Sequence, residues 1–164
     1  MMNFQGSKGN YQGGGGKSNL NHGQNPPANV NIELYEGNDK NKIKIDLFDT
    51  QAENAAEEII KEGKKEHKNK INQIRIFYNQ FIVINEKINN SEENFRRQLP
   101  YIKMIKARAK YSKGRKNIGN YFENFLLKCI DEVNTLKDFK IICSFFEAVV
   151  GYATYYNSKE HHNN

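Results

Sequence analysis

The chain has 164 residues, a length suited to one domain, with 37% hydrophobic and 27% charged residues and a formal net charge of +6. No stretch of about 18 apolar residues is present that could span a membrane, and the first residues lack the apolar core of a secretory signal. Cys129 and Cys143 have no zinc-ligand spacing and lie in apolar helical patterns, so they read as small core residues, as suits a reducing cytoplasm.

Residues 1–49 read as a low-complexity arm. Gly13-Gly14-Gly15-Gly16, scattered Asn and Gln, and Pro26-Pro27 give residues 1–29 little to bury, so disorder is expected there. Over 30–48, Val30, Ile32 and Leu34 alternate with polar residues, as do Ile43, Ile45 and Leu47, around Gly37-Asn38-Asp39. That pattern signals a hairpin. An isolated hairpin is marginal, however, and a loose arm is the other reading.

Helical periodicity begins at Thr50, which forms a capping box with Glu53. Ala52, Ala55, Ala56, Ile59 and Ile60 follow at helical spacing, and Gly63 is placed to end the helix. After a polar loop, a second helix spans about 70–89 with Ile71, Ile74, Phe77, Tyr78, Phe81, Ile82, Ile84 and Ile88 on one face. Ile76 and Val83 fall on the opposite face, where a single core has no use for them. Ser91 opens a third element, with Glu92 and Glu93 at the positive end of its dipole. Pro100 either restarts or kinks that helix, which continues to about Lys113. Gly114 and Gly119 bracket a loop. A fourth helix, about 120–134, carries Phe122, Phe125, Leu126, Cys129, Ile130 and Val133 as its stripe. Thr135 and Asp138 then recap a fifth helix running to about Tyr155. The predicted fold is all-α: a bundle of about five helices over 50–156, behind the arm and before a polar tail at 157–164.

Charge is concentrated in the second half. Residues 94–164 hold thirteen basic and six acidic side chains, a surplus of seven. No carboxylate lies between Glu93 and Glu123, whereas Arg96, Arg97, Lys103, Lys106, Arg108, Lys110, Lys113, Arg115 and Lys116 all do. On a helical wheel Lys103, Lys106, Lys110 and Lys113 share an arc of about 80°, a ladder of ammonium groups along one edge. Such a run can be a solvated face. Like charges at i,i+4 repel, though, and a face needing only solubility would mix its signs. A face that binds phosphates gains from each cation through counterion release. Arg108 projects among Tyr101, Met104, Ile105 and Tyr111, which suits either a carboxylate partner on a neighbouring helix or a stacked nucleotide.

No enzyme site is visible. The glycine run precedes no strand-to-helix turn, and no histidine and carboxylate share metal spacing. His22, His161 and His162 lie in polar segments and His67 in a lysine-rich loop. No catalytic residue, cofactor or metal is therefore expected.

Three blocks, "INQIRIFYN" (71–79), "LPYIKMIKARAKYSKGR" (99–115) and "FFEAVVGY" (145–152), together resemble the small subunit of the type III-A CRISPR effector, the Csm complex, over about residues 50–155. The resemblance implies a non-catalytic helical bundle for antiviral defence, stacked with neighbouring copies beside the backbone subunits and facing the guide RNA and the target RNA paired to it. Cutting of RNA and DNA belongs to other subunits. It points to Arg75, Lys103, Lys106, Arg108, Lys113 and Arg115 as RNA-facing, and the basic run adds Lys110 and Lys116. It also gives Ile76 and Val83 a use, in a subunit contact. Two other readings stand beside it: a helical DNA-binding protein, for which Pro100 and the glycine loop fit poorly, and a scaffold protein whose basic face meets an acidic partner.

Overall fold

The structure, a computed structural model, describes residues 30–37 and 39–159. The expectations for 1–29 and for most of the polar tail fall outside the described residues. Five helices follow a small hairpin: β1 (Tyr35–Glu36), β2 (Asp39–Ile43), then α1 (Ala52–Glu66), α2 (Ile71–Ile88), α3 (Glu92–Gly114), α4 (Asn120–Asp131) and α5 (Leu136–Lys159). The all-α expectation holds. Helix α5 is the centre. It packs on α1 and on α2; α2 packs in turn on α3, and α3 on α4, which also touches α1.

The apolar stripes go where their periodicity sends them. Phe122, Phe125, Leu126, Cys129 and Ile130 of α4 are fully buried, as are Phe139, Ile142, Phe145, Phe146, Val149 and Ala153 of α5. Phe146 meets Tyr78, Phe81, Phe122 and Phe125 edge-on, with centroids 5.3–6.4 Å apart. Each such pair adds about 0.5–1.5 kcal/mol to the area it buries. Both cysteines are buried free thiols. Burial pushes the Cys143 thiol up to about 12 and raises that of Cys129 as well.

Several boundaries differ from the expected ones. Thr50 and Glu53 make no capping box. A π-helical turn, Leu47–Gln51, runs straight into α1, and Glu53 instead accepts the Tyr156 hydroxyl at 2.7 Å. Gly63 does not end α1, which continues to Glu66 and stops at His67 in the left-handed conformation, φ 55. Gly63 serves close approach: a Cβ there would stand 2.7 Å from the Lys68 carbonyl oxygen. Helix α3 runs unbroken through Pro100, opened by Asn94 N–H donating to the Ser91 hydroxyl at 3.3 Å. Helix α4 stops at Asp131, before the expected end at about 134, and α5 runs on past Tyr155 to Lys159.

The second capping box does form. Thr135 N–H donates to Asp138 Oδ2 at 2.8 Å, and Asp138 N–H to Thr135 Oγ1 at 3.1 Å. Asp138 has a further role: its other oxygen accepts the Tyr35 hydroxyl at 2.5 Å. The hairpin is thereby tied to the start of α5. It is shorter than the 30–48 alternation suggests, and the residues around it pack on the helices, with Ile32, Leu34 and Leu47 buried while Ile45 is exposed.

Candidate nucleic-acid interface

Helix α3 places Lys103, Lys106 and Lys110 of the ladder on its flank toward α4, whereas the charge of Lys113 acts on Glu66 at the end of α1. Helix α4 supplies partners for three of the four lysines in the part of α3 that follows Glu93. Lys103 Nζ donates to the carbonyls of Ile130 and Val133 at 3.0 and 3.4 Å, capping the end of α4. Lys106 pairs with Asp131. Lys110 Nζ lies 2.7 Å from Glu123 Oε1, a carboxylate that is almost wholly buried. The carboxylates that balance these lysines come from the facing helix, which an i,i+4 reading of one helix cannot see. Of these, the Lys106–Asp131 pair is exposed enough to be worth little, whereas Lys110 meets a buried carboxylate.

Arg108 is exposed, not partly buried. Its Nη1 donates to Gln80 Oε1 of α2 at 2.7 Å, and among the described residues no carboxylate pairs with it. It borders a groove of about 460 Å³ between α2 and α3, lined also by Ile76, Val83, Lys87, Gln98 and Tyr101. Ile76 and Val83 are about half exposed, as are Tyr101 and Met104. Arg75, on the outer face of α2, donates to Thr154 Oγ1 at 3.5 Å and sits apart from the ladder.

The remaining sequence-predicted cations close α3. Arg115 stacks over the Tyr111 ring at 5.8 Å and donates to its hydroxyl at 3.3 Å. Lys116 stands at φ 61. Asn117 N–H donates to Ser112 O at 3.0 Å and Lys116 N–H to Lys113 O at 2.9 Å. That is the hydrogen-bond pattern of a Schellman cap, with lysine where glycine is usual.

Two residues with no motif to announce them hold this end in place. Buried Asn69 donates to Ile59 O at 3.0 Å and to Glu62 Oε2 at 2.9 Å, and accepts Gly119 N–H at 2.7 Å. Glu62 in turn accepts the N–H groups of Tyr121 and Phe122 at 2.7 and 3.2 Å, placing a negative charge on the N-terminus of α4. A Cβ on Gly119 would overlap that carboxylate at 2.1 Å. A polar residue as buried as Asn69 must find partners, but a sequence does not say which.

Among the described residues no group of His, Cys, Asp and Glu could hold a metal ion, and no helix is long and apolar enough to cross a membrane. A family model described as Csm2 Type III-A matches residues 42–159. The chain belongs to that family. It is thus a small subunit of a type III-A Csm complex, as the three sequence blocks suggest. The Csm2 match begins at residue 42, inside β2, and takes in the turn that leads into α1. No curated protein and no solved structure matches the chain.

Proposed function

We propose that this Csm2-family chain is a non-catalytic, RNA-binding subunit, which lies along the guide RNA and its paired target, and stacks against further copies of itself in the cytoplasm. The observation that carries the reading is the run without carboxylates from residue 94 to 122, set on α3, the loop after it and the first residues of α4. A polyanion gains from every cation on such a surface. Point charges without base-reading geometry suit an RNA whose sequence varies. Arg75, Arg108, Lys113, Arg115 and Lys116 are the proposed backbone contacts. Lys103, Lys106 and Lys110 make a lesser share, because α4 already meets their charge. The α2–α3 groove, with half-exposed Ile76 and Val83, is the proposed contact with a neighbouring copy.

Purification of a tagged chain from cells carrying its complex tests this. A short processed RNA and a fixed set of partner proteins should copurify, with RNA protected by the assembly. Recovery of the partners with no RNA would leave a scaffold protein with a basic face.

A further inference from the structure

The α1–α2 and α3–α4 loops meet at one pole of the bundle. Asn69 N–H donates to Asn117 O at 3.1 Å, and the Asn69 side chain reaches Gly119. Lys65, Lys68 and Lys70 thereby stand in the same region as Lys113, Arg115 and Lys116, with His67 among them. Only one carboxylate, Glu66, lies in either run of residues, 64–70 or 113–116. It is answered locally: its carboxyl is held below the usual range first by the Lys68 hydrogen bond, burial opposing, and then by the charges of Lys68, Lys113 and Lys65. Among the described residues no ion pair engages the side chains of Lys65, Lys70, Lys113 or Lys116. A cavity of about 300 Å³ lies on the α1–α2 side of this pole, between that loop and Asn157 of α5, lined in part by His67, Lys68, Asn69 and Lys70 and by no residue of the α3–α4 loop.

The backbone adds a second observation. Helices α1 and α3 both end at this pole on a left-handed residue, His67 at φ 55 and Lys116 at φ 61. Glycine holds that conformation without penalty, whereas a residue with a Cβ is strained by about 1–2 kcal/mol. A lysine at such a position costs stability. Its ammonium complements the carbonyl end of its own helix by only about 0.3–1 kcal/mol. Lys116 thus holds a cation at a position where glycine would be the less strained choice.

We propose that this two-loop pole is the principal phosphodiester-binding surface of the chain, with Lys70, Lys113 and Lys116 contacting the backbone of a single RNA strand. It deepens the RNA-binding reading and rests on it. The first contact would lie at the end of α3 and on the α1–α2 loop, rather than along the ladder beside α4.

The test is the affinity of the full-length chain for two single-stranded RNAs of unrelated sequence, measured against salt. Lys116→Gly removes the cation while relieving the strained backbone, so it should melt no lower than wild type. It should nevertheless lower the salt slope by about 0.7 for both RNAs, the share of one phosphate on a single strand. Lys70→Ala should do the same, and the double variant should lose about twice as much. Lys106→Ala, whose lysine is already paired with Asp131, should lower the slope by less than either pole variant. Wild-type slopes in the pole variants, or a slope lowered at least as far in Lys106→Ala, would overturn the pole and leave RNA binding standing. If the free chain binds neither RNA, photo-crosslinking within the purified complex decides. RNA crosslinks at 65–70 and 113–117 support the pole. Crosslinks elsewhere on the chain overturn the pole alone, and none on the chain overturns the RNA-binding reading with it.

Discussion

Removing the Lys110 ammonium should cost the fold more than removing the Arg108 guanidinium, the reverse of the order that their sequence surroundings suggest. Tyr101, Met104 and Tyr111 around Arg108 imply burial and a carboxylate partner. In the structure all three are exposed, and the guanidinium meets neutral Gln80. Arg108→Ala should therefore change stability by less than about 0.5 kcal/mol, the usual range for surface sites. Lys110→Ala leaves the buried Glu123 carboxylate without its ion-pair partner. A loss of about 1 kcal/mol is expected, limited by the solvent around the lysine. Urea unfolding of the two variants beside wild type gives the comparison. An Arg108 loss larger than the Lys110 loss would show that the guanidinium has a buried partner.

Elements were legible where a periodicity decides them and hidden where a contact across the chain does. The stripes of α2, α4 and α5 follow from 100° per residue, and the Thr135–Asp138 box from local spacing alone. Thr50 with Glu53 offers the same local signal but fails, because a π-helical turn extends the helix backwards and Tyr156 claims the glutamate. Gly63 shows the same limit. It reads as a stop signal but is a contact point between α1 and the loop beyond it. Gly63→Ala should destabilise by about 1–3 kcal/mol, as overpacking does, although alanine is the better helix former. Gly151, in open space on α5, should gain about 1 kcal/mol from the same change. Opposite shifts in melting temperature would confirm that the contact decides, whereas equal shifts would reduce both to propensity. Asp138 joins two elements and carries a pH signature. Burial tends to raise its carboxyl, but bonds from Tyr35, Thr135 and the Asn134 N–H outweigh that and hold it below the usual range. A depressed carboxyl contributes stability above its unfolded pKa, near 3.9, and loses it as pH falls through the folded value. Asp138→Asn should flatten the acid limb of the melting curve, and an unchanged limb would show that these bonds together do not hold the Asp138 carboxyl down.

At the scale of the molecule, the decisive question is where the folding unit begins. Hydrophobic periodicity puts the start at residue 50, yet Ile32 and Leu34 are 3% exposed and Leu47 is fully buried. Burying an aliphatic side chain contributes about 1.5–3 kcal/mol, somewhat less against a compact unfolded chain. Three of them amount to roughly 5 kcal/mol or more, comparable to the whole stability of a small domain. A chain begun at Ala52 should therefore lose its cooperative melting transition, or melt far below the full-length protein. A chain begun at Val30 keeps all three side chains with the Tyr35–Asp138 tie, and loses only residues poor in apolar content, so it should stay within about 0.5 kcal/mol of full length. Thermal unfolding of the three chains under one buffer makes the measurement. If the chain from Ala52 melts like full length, residues 30–51 are an appendage on a bundle that is complete without them. If the chain from Val30 also falls, residues 1–29 contribute packing that their composition does not suggest.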